Sequence, residues 1–186
     1  MIAASLSGKK IAITGSTGFV GTALVERLLR SVPDCHLVLL IRDGKRTSAA
    51  ERARKEILKN DAFDRLRAEH GADFDAVIAA RITTVSGDVT RDGLGLNDDD
   101  RAVWASCDTI IHSAAAVSFD LPLDSAVEIN LLGPMRIAAT FLQLVTIVCA
   151  VFALIELQDN ALLARWLAWA VLAQLATIAL LLFDRH

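Results

Sequence analysis

Three glycines spaced three residues apart, Gly15-x-x-Gly18-x-x-Gly21, follow a short apolar run from Ile11 to Thr14 and lead into an amphipathic pattern. That pattern sets Val20, Leu24 and Leu28 on one helical face and Glu26, Arg27 and Arg30 on others. Strand, glycine turn and helix in this order can receive a pyrophosphate. Gly15 permits the tight turn off the strand. Gly18 lets the backbone approach phosphate oxygens with no Cβ between, and Gly21 lets the helix pack closely on the sheet. The helix start presents free N–H groups and the positive end of its dipole to the anion. The competing reading is an ordinary glycine turn; the strand before it and the helix after it favour the phosphate site.

Such a turn needs a sheet to carry it, and the chain supplies strands between helical segments. His36–Ile41 (HLVLLI) is continuously apolar, as a strand buried on both faces of a parallel sheet would be. A polar turn, Arg42 to Arg46, follows. Residues 48–70 are strongly charged and predict two helices broken near Asn60 and Asp61. Ile82–Val85 is a third strand, ending at Gly87 and Asp88. Residues 97–106 predict a helix capped by Asn97. Thr109–His112 (TIIH) is a fourth strand, and another helix begins near Leu123 or Asp124. The alternation predicts an α/β fold: a Rossmann-type parallel sheet with right-handed crossovers and flanking helices. The sequence shows no internal repeat and no low-complexity linker.

At 186 residues the length suits one ordinary domain, and the net charge of −3 with no basic stripe argues against a nucleic-acid partner. Cys35, Cys107 and Cys149 are odd in number and lack metal-ligand spacing, so they read as buried thiols of a reduced compartment. The four histidines form no ligand cluster, and no metal site is expected. Residues 1–8 are too short for the apolar core of a signal peptide.

Several pieces in the same order resemble the extended short-chain dehydrogenase/reductase superfamily, in its thioester reductase or fatty acyl-CoA reductase (male-sterility-type NAD-binding) branch. They are TGSTGFVG at 14–21, LLIRDGKR at 39–46, SGDVTRDGLGL at 86–96, HSAAAVSFDLPLDSAVEINLLG at 112–133 and the charged insert at 48–70. The resemblance runs from residue 8 to about 139. It implies that Gly15, Ser16, Thr17, Gly18, Phe19 and Gly21 line a pyrophosphate. Arg42 stands where an acidic residue would accept the ribose hydroxyls of NAD. An arginine there can pair with a 2′-phosphate instead, which points to NADPH, with Arg46 assisting. A solvated basic turn is the alternative. Asp88 and Val89 would sit beside the adenine, unless Asp88 only bonds its own turn. Ser113, Ala114 and Ala115 are small enough to let the backbone pass close to the cofactor. His112 is a strand-end residue rather than a catalytic one. Asn130 would help hold the site's backbone, or else bond within its own helix.

The family pattern then continues with a catalytic serine or threonine and a Tyr-x-x-x-Lys helix, in which tyrosine exchanges a proton with the substrate carbonyl. This sequence contains no tyrosine, and its last lysine is Lys59. No catalytic residue is therefore assigned, and reduction of an acyl-CoA or carrier-bound acyl thioester would draw its proton donor from another chain. In place of that half stand two uncharged stretches, 137–155 and 166–183, joined by a link with Glu156 and Asp159. Each could span a bilayer core of about 30 Å as a helix. Trp166 and Trp169 lie near one end, as an interfacial belt would, and Arg136 and Arg185 flank the pair on one side. The expectation is an NADP-binding domain over 1–136, incomplete as a Rossmann-type sheet, and a two-helix transmembrane hairpin over 137–186. The positive-inside rule puts the N-terminal domain in the cytoplasm. The alternative is a cytoplasmic protein, with Val145–Val151 a buried strand and 161–183 a buried helix.

Two other functions compete with the reductase reading. One is a catalytically inactive, membrane-anchored nucleotide-binding or interaction protein. The other is a truncated or fused gene fragment, suggested by the abrupt join near residue 137 and by a four-stranded sheet with an open edge.

Overall fold

Aliphatic runs form the four strands, because side chains alternating to opposite faces can be apolar throughout only where both faces are covered. The computed structural model describes residues 2–118 and 120–142. A short helix α1 (Ile2–Leu6) leads to β1 (Lys10–Thr14) and α2 (Phe19–Ser31). Then come β2 (His36–Ile41), α3 (Ala49–Arg52), α4 (Asp64–His70), α5 (Phe74–Ala79) and β3 (Ile82–Ser86). α6 (Asp98–Ala105), β4 (Thr109–His112) and α7 (Leu123–Val127) complete the order. α3 continues with π-helical winding over Ala53–Leu58, and α7 does so over Glu128–Leu132.

The sheet runs β3-β2-β1-β4, with every neighbouring pair parallel. The central strands β1 and β2 are buried almost throughout, whereas β4 at the edge is half-buried along its length. Alternate residues of the central strands, Ile11 and Ile13 with Leu37, Leu39 and Ile41, join Val25 and Leu29 of α2 in one core. Ile57, Phe63 and Leu66 from the charged insert, with Phe74 and Ile78 of α5, extend it. Each such side chain removed from water contributes roughly 1.5–3 kcal/mol. Phe63 and Phe74 meet edge to face, their ring centres 6.4 Å apart.

Local chemistry sets the boundaries. Asn97 caps α6 by accepting from the Asp100 N–H at 2.8 Å, and three acids occupy the first turn, where the helix dipole favours them. Ser48 and Glu51 form a reciprocal capping box at the start of α3. The predicted break at Asn60 is present: its side chain accepts from the Ala62 N–H. Helix α5 was not predicted, and six residues with one apolar face give too short a period to read. Arg81 joins two elements. Its guanidinium donates to the Leu29 and Val32 carbonyls, both at 2.6 Å, filling acceptors that the end of α2 leaves open.

The chain divides into two compact units, Met1–Ile137 and Ala138–His186, and all the elements above lie in the first. The expected apolar hairpin, like the alternative strand over 145–151, falls outside the described residues apart from 137–142. Among the described residues no helix is long and apolar enough to cross a membrane.

Candidate functional site

In a parallel sheet all strands end on the same side, so the loops after β1, β2, β3 and β4 meet along one rim. The chain leaves β1 toward β2 on one side, while β4 lies on the other. The rim between β1 and β4 is thus the topological switch point, where open α/β sheets form their crevice. A cavity of about 360 Å³ opens there. Gly15, Thr17 and Gly18 border it from the β1 loop, Arg42 from the β2 loop, Asp88 and Val89 from the β3 loop, and Ser113, Ala114 and Ala115 from the β4 loop.

The glycine turn is fixed by its own backbone. Gly15 has φ +71°, and a Cβ there would run into the Ser113 and Ala114 backbone. The Gly18 N–H donates to the Gly15 carbonyl at 3.0 Å, closing the turn. A Cβ on Gly21 would overlap the Gly15 carbonyl oxygen, so Gly21 lets the start of α2 sit close against the turn off β1. Gly18 is the N-cap residue of α2. The first N–H groups of α2 have no intrahelical acceptor, and no acid lies in its first turn to neutralise the dipole. The result is an electropositive backbone cradle opening on the cavity.

The opposite wall carries charge. Arg42 Nη1 stands 3.8 Å from Asp88 Oδ2, a loose contact of a largely exposed guanidinium. Arg52, absent from the expected set, also borders the cavity; its Nη1 donates to the Arg42 carbonyl at 2.7 Å while Glu56 holds its other nitrogens. Asp43, the first acid after β2, is already engaged: it accepts from the Ala49 N–H and from the Ser86 hydroxyl. Asp88 bonds its own turn and also faces Arg42. Its Oδ1 accepts from the N–H and hydroxyl of Thr90, the turn bonding raised as the alternative, while Oδ2 faces Arg42.

Other expected residues lie outside the cavity wall. The Phe19 side chain is 93% exposed, because it occupies the outward side of the first turn of α2. Ser16 is buried, and its hydroxyl finds no partner among the described residues. Arg46 borders neither this cavity nor the groove beside it, where Lys45 is the lining residue instead. Asn130 acts through the backbone: it accepts from the Ala116 N–H at 2.8 Å and donates to the Ala116 carbonyl at 2.9 Å. That pair fixes the loop after β4, rather than bonding within its own helix. Ser113 donates to the Thr14 carbonyl at 2.8 Å, tying the same loop to β1. His112 Nδ1 is hydrogen-bonded to the Thr14 hydroxyl at 2.6 Å, and burial lowers its pKa. The imidazole is therefore a neutral strand-end group at neutral pH.

Comparison with known proteins agrees with this geometry. Residues 13–152 match the family model described as male sterility protein, an NAD-binding domain family. Fatty acyl-CoA reductase 1 of Arabidopsis thaliana is 38% identical over 136 residues, which is 71% of this chain and 28% of that protein. Human fatty acyl-CoA reductase 1 is 34% identical over 131 residues, 70% of this chain and 24% of that one. The chain thus spans about a quarter of the length of these curated relatives. Among solved structures, the terminal R domain of the myxalamid PKS-NRPS pathway aligns with TM-score 0.57 and 30% identity, covering 72% of this chain and 32% of that one. The reductase domain of a Mycobacterium tuberculosis nonribosomal peptide synthetase aligns with TM-score 0.50 and 31% identity, covering 73% and 33%. With its glycine cradle at the switch point of a four-stranded parallel sheet, the chain belongs to the male sterility protein family of NAD-binding domains, related to fatty acyl-CoA and thioester reductases.

Proposed function

We propose that residues 1–136 bind NADPH, as the cofactor half of a reductase acting on a fatty acyl-CoA or carrier-bound acyl thioester. The observation that carries this reading is the placing of two guanidinium groups opposite the glycine cradle. Arg42 and Arg52 border the cavity after β2, while the nearby Asp43 is held by Ala49 and Ser86. A carboxylate free to accept two ribose hydroxyls would favour NAD; two arginines favour a 2′-phosphate.

The residues fit the cofactor as follows. The cradle of Gly15 to Gly18 would hold the pyrophosphate on N–H groups of α2. Asp88 and Val89 would flank the adenine. Ser113, Ala114 and Ala115, pinned by Asn130 and Thr14, would pass beside the nicotinamide end with little side-chain bulk. NADPH supplies the hydride. These 186 residues hold no tyrosine to deliver the proton, so the proton donor for reduction would lie outside them. The uncharged stretches 137–155 and 166–183 support a membrane tether for this domain on the cytoplasmic side.

The missing tyrosine equally motivates a second reading, a membrane-anchored nucleotide-binding protein without catalysis. NADPH binding and consumption by the purified full-length chain, given palmitoyl-CoA, test the first reading. Saturable NADPH binding without turnover is expected of the chain alone. Turnover would overturn the need for an outside proton donor, and failure to bind NADPH would overturn the reductase reading itself.

A further inference from the structure

Asp88 and Val89 reach the cavity from a loop that is closed on itself. The Asp88 N–H donates to the Leu94 carbonyl at 2.8 Å, and the Arg91 N–H donates to the Asp88 carbonyl at 3.0 Å. The Leu94 N–H returns to the Arg91 carbonyl, also at 3.0 Å. Gly93, Leu94 and Gly95 hold left-handed backbone, and the Leu94 side chain is fully buried. A non-glycine residue at positive φ is uncommon and marks a backbone fixed by its surroundings. A loop bonded in this way shifts only as a whole, so its place depends on what anchors it from outside.

Two of its anchors stand on the helix that α7 begins. After the π-helical stretch Glu128–Leu132 that helix regains α-helical winding at Gly133. Val89 stands over Gly133, where an added Cβ would meet Val89 Cγ2 at 3.5 Å. Arg136, about one turn on, reaches two carboxylates: Nε stands 3.5 Å from Asp92 Oδ1 in the loop, and Nη2 stands 2.8 Å from Glu128 Oε1 in its own helix. Exposed ion pairs contribute little, but this guanidinium is only 22% exposed and is shared between two acids. Its Nη1 is buried with no hydrogen-bond partner among the described residues. That burial costs free energy, which the charged contacts of the other nitrogens offset. Asn130 lies between Glu128 and Arg136 in the same helix and holds Ala116 of the loop after β4. One helix therefore carries anchors for two walls of the cavity.

We propose that Arg136 is a positioning residue, which clamps the loop after β3 to this helix and so sets the span between the Asp88–Val89 wall and the wall formed by Ser113, Ala114 and Ala115. Arg136 does not border the cavity and acts only through the loop. The proposal rests on the cofactor reading above, in which the first wall flanks the adenine and the second passes the nicotinamide end. A dinucleotide must bridge the two. With the clamp gone, binding would have to order the adenine wall first, and affinity would fall.

Hydrogen exchange read by mass spectrometry, together with calorimetric titration with NADP⁺, tests this on the full-length chain in wild type, Arg136→Met and Arg136→Lys. Methionine keeps much of the apolar stem and removes the guanidinium; lysine keeps the charge but not the fork that serves two carboxylates. For Arg136→Met the expected result is exchange about tenfold faster at amides 88–94, with β1 and β2 unchanged, and NADP⁺ affinity about fivefold weaker. Arg136→Lys is expected to fall between methionine and wild type in both readouts. Faster exchange in β1 and β2 as well would make the role merely structural and overturn the proposal. Unchanged exchange at 88–94 would also overturn it, as would faster exchange there with NADP⁺ affinity within about twofold of wild type. Each of these leaves the cofactor reading standing. A wild-type chain that does not bind NADP⁺ overturns both.

Discussion

The side-chain amide of Asn130 and the backbone of Ala116 form a closed pair, one hydrogen bond in each direction, at 2.8 and 2.9 Å. The two stand 14 positions apart in the chain, and the pair turns the loop after β4 into a fixed wall of the cavity. Asn130→Asp keeps the acceptor but sets a carboxylate oxygen against the Ala116 carbonyl. It is expected to weaken NADPH binding about fivefold or more, and to cost about 1 kcal/mol of stability at this exposed site. Asn130→Ala should cost less than Asn130→Asp. Denaturant unfolding and NADPH titration of both variants check the order; equal affinities in both and in wild type would contradict the positioning role.

The glycines should separate by what surrounds them. Gly18 is tight but not blocked: a Cβ would meet only the Gly15 carbonyl oxygen, at 3.3 Å, which must give by a few tenths of an ångström. Gly18→Ala is expected to change stability by less than about 1 kcal/mol. Gly21→Ala forces the turn and α2 apart and is expected to cost more than about 2 kcal/mol. Urea unfolding midpoints of the two variants give the comparison.

Two histidines set an acid limb. Burial lowers the pKa of both His36 and His112 from the ordinary 6.5, with Lys10 adding to the effect at His36. Above that pH both folded and unfolded chains carry neutral imidazoles, and the groups contribute no slope. As pH falls below 6.5, the unfolded chain binds protons that the folded chain refuses, so stability drops until the folded pKa values are passed. Unfolding midpoints measured from neutrality down to about pH 5 should fall, and His112→Gln should flatten the limb. A limb unchanged in that variant would contradict a buried, neutral His112.

Cys107 is pushed up to about 11 by burial, so it is a thiol and not a thiolate at neutral pH. Cys35 is buried as well. Both are expected to react with iodoacetamide at least about tenfold faster in denaturant than in the native chain, read residue by residue by mass spectrometry. Fast native labelling of Cys107 would mean that the end of α6 opens readily.

The four strands were legible because each is a run of aliphatic residues bounded by polar turns, and a strand buried on both faces leaves that mark. Asn97 announced α6 because a cap needs a particular side chain at a particular place. The left-handed loop around Leu94 left no comparable mark, since a buried leucine at positive φ is imposed by tertiary packing. Of the site, the cradle was legible in the glycine spacing, and Arg42 in its place directly after β2. Arg52 was not: it reaches the cavity only because the Ser48–Glu51 capping box starts α3 close to the end of β2, turning its first turn back toward Arg42. Phe19 was assigned to the pyrophosphate through the family resemblance, and its side chain is exposed at the start of α2.

The central claim is that the Gly15–Gly21 cradle holds the pyrophosphate of NADPH. A fluorescence titration of the full-length chain in detergent, wild type beside Gly18→Asp, tests it most directly. A side chain at Gly18 needs only a small shift of the Gly15 carbonyl, but a carboxylate there would face the phosphates. Saturable binding by wild type, lost in a variant with an unchanged thermal midpoint, is the predicted result. Absence of binding in wild type, or equal binding by both proteins, would contradict the account.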